Sequence, residues 1–112
     1  MLRYNFRGPN MYAQIEGALT LHQAWDFALD VQHTVLGHIN QWGKTPEIQH
    51  KLIADSETRT VSINDLVQIK LSIKDKTITI KLTEDKVHMR IAYEMGTAIR
   101  DLARYMHKVE AE

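Results

Sequence analysis

Apolar and polar positions alternate with a period of two in some parts of the chain and follow a helical period in others. Leu2, Tyr4 and Phe6 alternate with Arg3, Asn5 and Arg7, and Met11, Ala13 and Ile15 resume the alternation after Gly8-Pro9-Asn10. A period of two belongs to half-buried strands, and glycine, proline and asparagine are turn formers. An N-terminal hairpin over residues 2–15 is therefore expected, with a short helical turn from Asn10 as the competing arrangement. Val67, Ile69, Leu71 and Ile73 alternate with Gln68, Lys70 and Ser72, and Ile78, Ile80 and Leu82 with Thr77, Thr79 and Lys81. The polar Lys74-Asp75-Lys76 between them predicts a second hairpin, residues 66–82, with its aliphatic side chains on one face. Thr58–Ile63 is a further strand candidate.

Two segments carry the longer period. Leu21, Ala24, Trp25, Ala28, Val31, Val35, Ile39 and Trp42 gather on one stripe at 100° per residue. Thr20 and Gln23 have the spacing of a capping box, and Gly43 suits a left-handed cap, so a helix over about 21–42 is predicted. Thr45-Pro46-Glu47 has the order of a second helix start, which predicts a short helix over 47–54. Residues 87–93 fit both periods. Val87, Met89, Ile91 and Tyr93 alternate, yet Val87, Ile91, Met95, Ala98, Ile99, Leu102, Met106 and Val109 form a longer helical stripe. The longer stripe favours one helix over about 84–108, opened by Thr83-Glu84-Asp85, with a strand ending before Gly96 as the alternative. Gly96 inside that helix costs about 1 kcal/mol against alanine. The expected fold class is α+β: a single small domain, residues 1–112, in which an antiparallel sheet is packed by two long helices and one short one.

Composition narrows the function classes. A chain of 112 residues with 44% hydrophobic side chains has the material for one core, and the absence of cysteine excludes disulfides, thiolate metal sites and a cysteine nucleophile. Fourteen basic residues balance fourteen acidic ones, so no global field draws the chain to nucleic acid or to an anionic membrane. The N-terminus lacks the apolar run of a secretory signal, no apolar stretch is long enough to span a bilayer, and a cytoplasmic location is expected.

Charge is nevertheless segregated. Residues 10–65 hold seven acidic and three basic side chains, whereas residues 86–108 hold five basic and two acidic ones. On a helix, Lys86, Arg90, Tyr93, Arg100, Arg104 and Lys108 share a wedge about 80° wide. Such a stripe suits a phosphate backbone or an acidic protein surface, and equally a solvated helix face. Phe27 and Met89 fall off the apolar stripes of their helices, which marks them as candidate contact residues. Asp26 and Asp30 on the first helix are electrostatic complements to Lys86, Arg90, Arg100 and Arg104 of a neighbouring copy. His22 and Asp26, one turn apart, are the candidate metal ligands, and would need further ligands from another element. No nucleophile elbow or phosphate-cradling glycine loop is present, and no cofactor is called for. The residues thus point first to a small non-enzymatic binding or assembly protein whose partner is itself or another protein. A nucleic-acid or phosphate-ligand binder is the second reading, and a metal-dependent enzyme the third.

Overall fold

Gly8 sits at φ +57° and Pro9 follows with φ held negative by its ring, the sign pattern of a primed hairpin turn with glycine first. β1 (Leu2–Arg7) and β2 (Asn10–Ile15) accordingly pair antiparallel, from Arg7↔Asn10 to Leu2↔Ile15. The structure is a computed structural model and describes residues 2–111. β3 (Leu19–Thr20) leads directly into α1 (Leu21–Gly37). The capping box is made: Gln23 N–H donates to Thr20 Oγ1 at 3.1 Å, and Thr20 N–H to Gln23 Oε1 at 3.0 Å. Thr20→Ala is therefore expected to cost about 1 kcal/mol, read as a lowered denaturant midpoint with an unchanged slope.

α1 ends five residues before the predicted Trp42. His38 leaves the helical region at φ −111°, ψ 18°, and its Nδ1 lies 2.9 Å from the Thr34 carbonyl. A 3-10 turn over Ile39–Gln41 then tightens the path. Trp42 swings back beneath the helix end, and its indole N–H donates to the Val35 carbonyl at 2.9 Å. The helix thus closes on a side-chain donor, and Gly43 adopts the expected left-handed φ, +61°, only after the 3-10 turn.

The predicted short helix 47–54 is a strand, β4 (His50–Ala54). Asn64 explains the difference from a distance. Its Nδ2 donates to the Glu47 carbonyl at 2.9 Å, its Oδ1 accepts from Gln49 N–H at 2.7 Å, and its own N–H donates to the Gln49 carbonyl at 2.9 Å. Backbone groups that a helix would use are thereby held in an extended path. β4 then pairs antiparallel with β5 (Thr58–Ile63), β5 with β6 (Val67–Ser72), and β6 with β7 (Thr77–Leu82). With β3 on the far side of β7, this makes a five-stranded sheet in the order β3-β7-β6-β5-β4.

The ambiguous segment resolves into both of its readings in turn. β8 (Lys86–His88) pairs with Asn10–Tyr12 of β2 and completes a three-stranded sheet, β1-β2-β8. α2 (Met89–Ala111) follows without a break. The helix start predicted at Thr83-Glu84-Asp85 is displaced because the His88 ring caps α2: Nδ1 accepts from Arg90 N–H at 2.9 Å while Nε2 donates to the Trp42 carbonyl at 2.8 Å. The α+β class holds, with two antiparallel sheets, two long helices and a 3-10 turn.

One hydrophobic cluster joins these parts. Val67, Ile69, Leu71, Ile78 and Ile80 line the buried face of the five-stranded sheet, and Met95, Ile99, Leu102 and Met106 the buried stripe of α2. The smaller sheet covers α1, where the Tyr4 ring meets Phe27 edge-on at 5.3 Å and Phe6 stacks on His38 at 5.9 Å. α1 and α2 meet at Gly96. A Cβ at that position would lie 2.6 Å from Gln32 Cγ and 3.2 Å from the Ala28 carbonyl oxygen, so glycine permits the approach. Gln32, 7% exposed, answers with donations to Thr97 Oγ1 at 2.8 Å and the Tyr93 carbonyl at 3.1 Å, and its Oε1 accepts from Arg100 Nη1 at 3.0 Å.

Candidate functional site

The ends of the two sheets differ in how they are finished. β3 is two residues long and β8 three, too short to template a partner. β1 buries Leu2, Tyr4 and Phe6 in part against the core and exposes Arg3, Asn5 and Arg7, the alternation of a charge-guarded edge. β4 is different, because all five of its residues are exposed. Among the described residues five large apolar side chains are exposed, and two of them, Leu52 at 55% and Ile53 at 67%, are neighbours on this strand.

The hydrogen-bond pattern shows which of its backbone groups are open. Asp55 N–H donates to the Thr58 carbonyl and Asn64 N–H to the Gln49 carbonyl, so the odd-numbered residues of this stretch bond toward β5. By the alternation of antiparallel ladders, the N–H and C=O groups of His50, Leu52 and Ala54 point to the free edge. The two faces follow from the partners on β5. His50 and Leu52 stand opposite Ile63 and Val61, which pack into the core, so these side chains lie on the α2 side. Lys51, Ile53 and Asp55 occupy the opposite, uncovered face.

β4 is anchored at both ends. His50 Nε2 lies 3.2 Å from Glu94 on α2, and Glu94 is also paired with Arg90. At the other end Asp55 Oδ1 accepts from Glu57 N–H at 2.8 Å and Thr58 N–H at 2.7 Å, closing the β4–β5 turn. These two donors, Glu57 first, hold the Asp55 carboxyl below its ordinary 3.8. Stability from the turn is thus present above that ordinary value and is lost as pH falls through the lower folded one. Between β4 and α2 runs a cleft of about 300 Å³ lined by Leu52, Arg59, Thr97, Asp101 and Tyr105. The Arg59 guanidinium stacks 4.0 Å above the Tyr105 ring and forms its floor.

The residues singled out from the sequence are placed as follows. Phe27 and Met89, expected to project outward, are buried at 3% and 0% exposure. The smaller sheet accounts for both, since β1 lays Tyr4 over Phe27 and β8 carries the chain inward to Met89. Asp26 and Asp30 are exposed on α1. Asp26 pairs with His22 at 3.2 Å, and among the described residues no group of three or more His, Asp or Glu side chains is placed to hold a metal ion. Lys86 belongs to β8 and leaves the basic stripe. Arg90, Tyr93, Arg100, Arg104 and Lys108 remain on α2, but their wedge turns partly toward α1 rather than to solvent. Arg90 is tied to Glu94 and lies 5.6 Å over Tyr93, Arg100 to Gln32, and Arg100 and Arg104 lie 5.4 and 6.0 Å over the Trp25 ring. Sequence reasoning missed β4 altogether. Its signal was a Leu-Ile pair flanked by a cation and an anion, without the alternation that burial on one face imposes.

Comparison of the chain with protein-family models, with curated proteins and with solved structures finds no match. Among the described residues no helix is long and apolar enough to cross a membrane.

Proposed function

We propose that this chain is a small non-enzymatic assembly protein that associates with further copies of itself. One observation carries the reading: β4 offers an open strand edge, with Lys51 as its one charged guard, three residues' worth of open backbone groups and two adjacent exposed aliphatic side chains. Unpaired edges of this kind are the usual templates for strand addition, in which main-chain hydrogen bonds supply affinity and alternate side chains supply specificity. The association first expected from the helices is less well supported, because Phe27 and Met89 are spent in the core and Arg100 and Arg104 are engaged with α1 and its Trp25. The same engagement weakens the reading as a phosphate or nucleic-acid binder, which needs arginine forks facing outward.

Size-exclusion chromatography with light scattering at about 100 µM, enough to populate complexes of micromolar affinity, is expected to give a mass of at least twice 13.0 kDa. A monomer at that concentration removes the reading.

A further inference from the structure

We propose that two copies join through β4 in antiparallel register centred on Ile53, making one continuous sheet across a two-fold axis. The inference rests on the self-association reading and adds its geometry.

The register follows from three constraints. First, the open groups sit on even-numbered residues and must oppose even-numbered residues, so the axis passes through a residue and not between two; at Ile53 this sets Leu52 opposite Ala54, twice by symmetry. Second, the axis must avoid like charges. An axis at Lys51 sets two lysines opposite each other, which opposes pairing. Third, the axis must answer Lys51, since an edge lysine is a common guard against strand addition. An axis at Leu52 sets Lys51 against Ile53 and leaves both lysines unanswered. With the axis at Ala54, the apolar Ile53 faces the Asp55 carboxylate, and Lys51 falls opposite Glu57, which lies beyond the end of the strand. Only the axis at Ile53 pairs each Lys51 with the Asp55 of the second copy, twice by symmetry, with Ile53 against Ile53 between the two ion pairs.

The same register places the side chains well on both faces. Lys51, Ile53 and Asp55 share the uncovered face, so the Ile53 side chains of the two copies, each 67% exposed, cover one another and the charges flank them. Leu52 meets Ala54 on the α2 side, where the second copy's side chains lie over the cleft floored by Arg59 and Tyr105. Asp55 is pre-set for its role. The backbone N–H groups of Glu57 and Thr58 fix its carboxyl through Oδ1 and keep it anionic, and Oδ2, 3.4 Å from the Thr58 hydroxyl, retains accepting capacity for the incoming lysine. The two-fold also preserves faces, so both α2 helices lie on one side of the joined sheet.

The chain has no cysteine, which makes a direct test available. In this register residue 53 forms a non-hydrogen-bonded pair with itself, at a Cα separation of about 4.5 Å, within the range a disulfide spans. Ile53→Cys is expected to form a covalent dimer nearly completely under mild oxidation at low micromolar concentration. Lys51→Cys, which faces Asp55, is expected to cross-link poorly. Lys51→Glu is expected to weaken self-association about tenfold or more while circular dichroism stays unchanged. Equal cross-linking of the two cysteine variants, or a multimer indifferent to Lys51→Glu, overturns the register but leaves self-association standing. Loss of the multimer on substituting Leu29 and Leu36, the exposed pair on α1, with Lys51→Glu silent, would move the interface to that helix. A wild-type monomer at about 100 µM overturns both readings together.

Discussion

Gly96→Val is expected to destabilise the protein by about 3 kcal/mol or more, a large share of the roughly 5–15 kcal/mol that holds a domain of this kind together. The β-carbon alone would stand 2.6 Å from Gln32 Cγ and 3.0 Å from Cδ. Gln32 has no free rotamer to retreat into, because its amide is spent on Thr97, Tyr93 and Arg100. The Ala28 carbonyl at 3.2 Å belongs to the backbone of α1 and moves only if the helix moves. Gly96→Ala isolates the effect. Helix propensity favours alanine by about 1 kcal/mol, whereas overpacking costs about 1–3 kcal/mol, so a net loss is expected despite the better helix former. Chemical denaturation measures both variants. Combining Gly96→Ala with Gln32→Ala should recover part of the loss, a coupling of about 0.5–3 kcal/mol expected of residues in contact. A Gly96→Ala protein more stable than the parent would show that the helices separate without penalty.

Trp42→Ala is expected to cost about 3–5 kcal/mol, the range for truncating a buried large aromatic side chain. Trp42 is 9% exposed and joins three parts of the molecule. Its indole donates to Val35 at the end of α1, its ring lies 6.5 Å from that of Tyr93 on α2, and its carbonyl accepts from the His88 ring that caps α2. Trp42→Phe keeps most of the apolar contact and removes the donor, so a loss nearer about 1 kcal/mol is expected. Unfolding followed by circular dichroism separates the two variants. Equal midpoints for Trp42→Ala and the parent would place the ring outside the core.

Local patterning carried much of the fold. The N-terminal hairpin, the β6–β7 hairpin, the cap at Thr20 and the bodies of both long helices were all legible, because the strands and helices among them have one face more buried than the other. Burial on one side writes its period into the sequence, and a capping box is a contact between residues three apart. β4 was illegible for the converse reason. Neither of its faces is covered, so nothing selects an alternating pattern, and Thr45-Pro46-Glu47 upstream imitates a helix start. Phe27 and Met89 were misplaced for a related reason. A stripe drawn at 100° per residue assumes one covered side, whereas the smaller sheet adds a second cover to α1 and brings the chain inward at Met89.

The candidate site shows the same division more sharply. Lys51, Leu52, Ile53 and Asp55 are only an apolar pair between charges until β5 sets their alternation, and the parity of that pairing decides which groups face outward. Likewise the basic stripe exists on α2 as a helical wheel requires, yet Gln32, Glu94 and Trp25 decide that much of it faces inward.

By itself, then, the sequence determined the α+β class, the strong amphipathic elements and the absence of any cysteine chemistry, since these depend on residues close along the chain. Where α1 stops depended on Trp42 reaching back seven residues to Val35, that residues 50–54 are a strand on Asn64 bonding 15 and 17 residues away, and where α2 starts on His88 meeting Trp42 across 46. Contacts at such separation leave no local period, and the tertiary structure alone decides them.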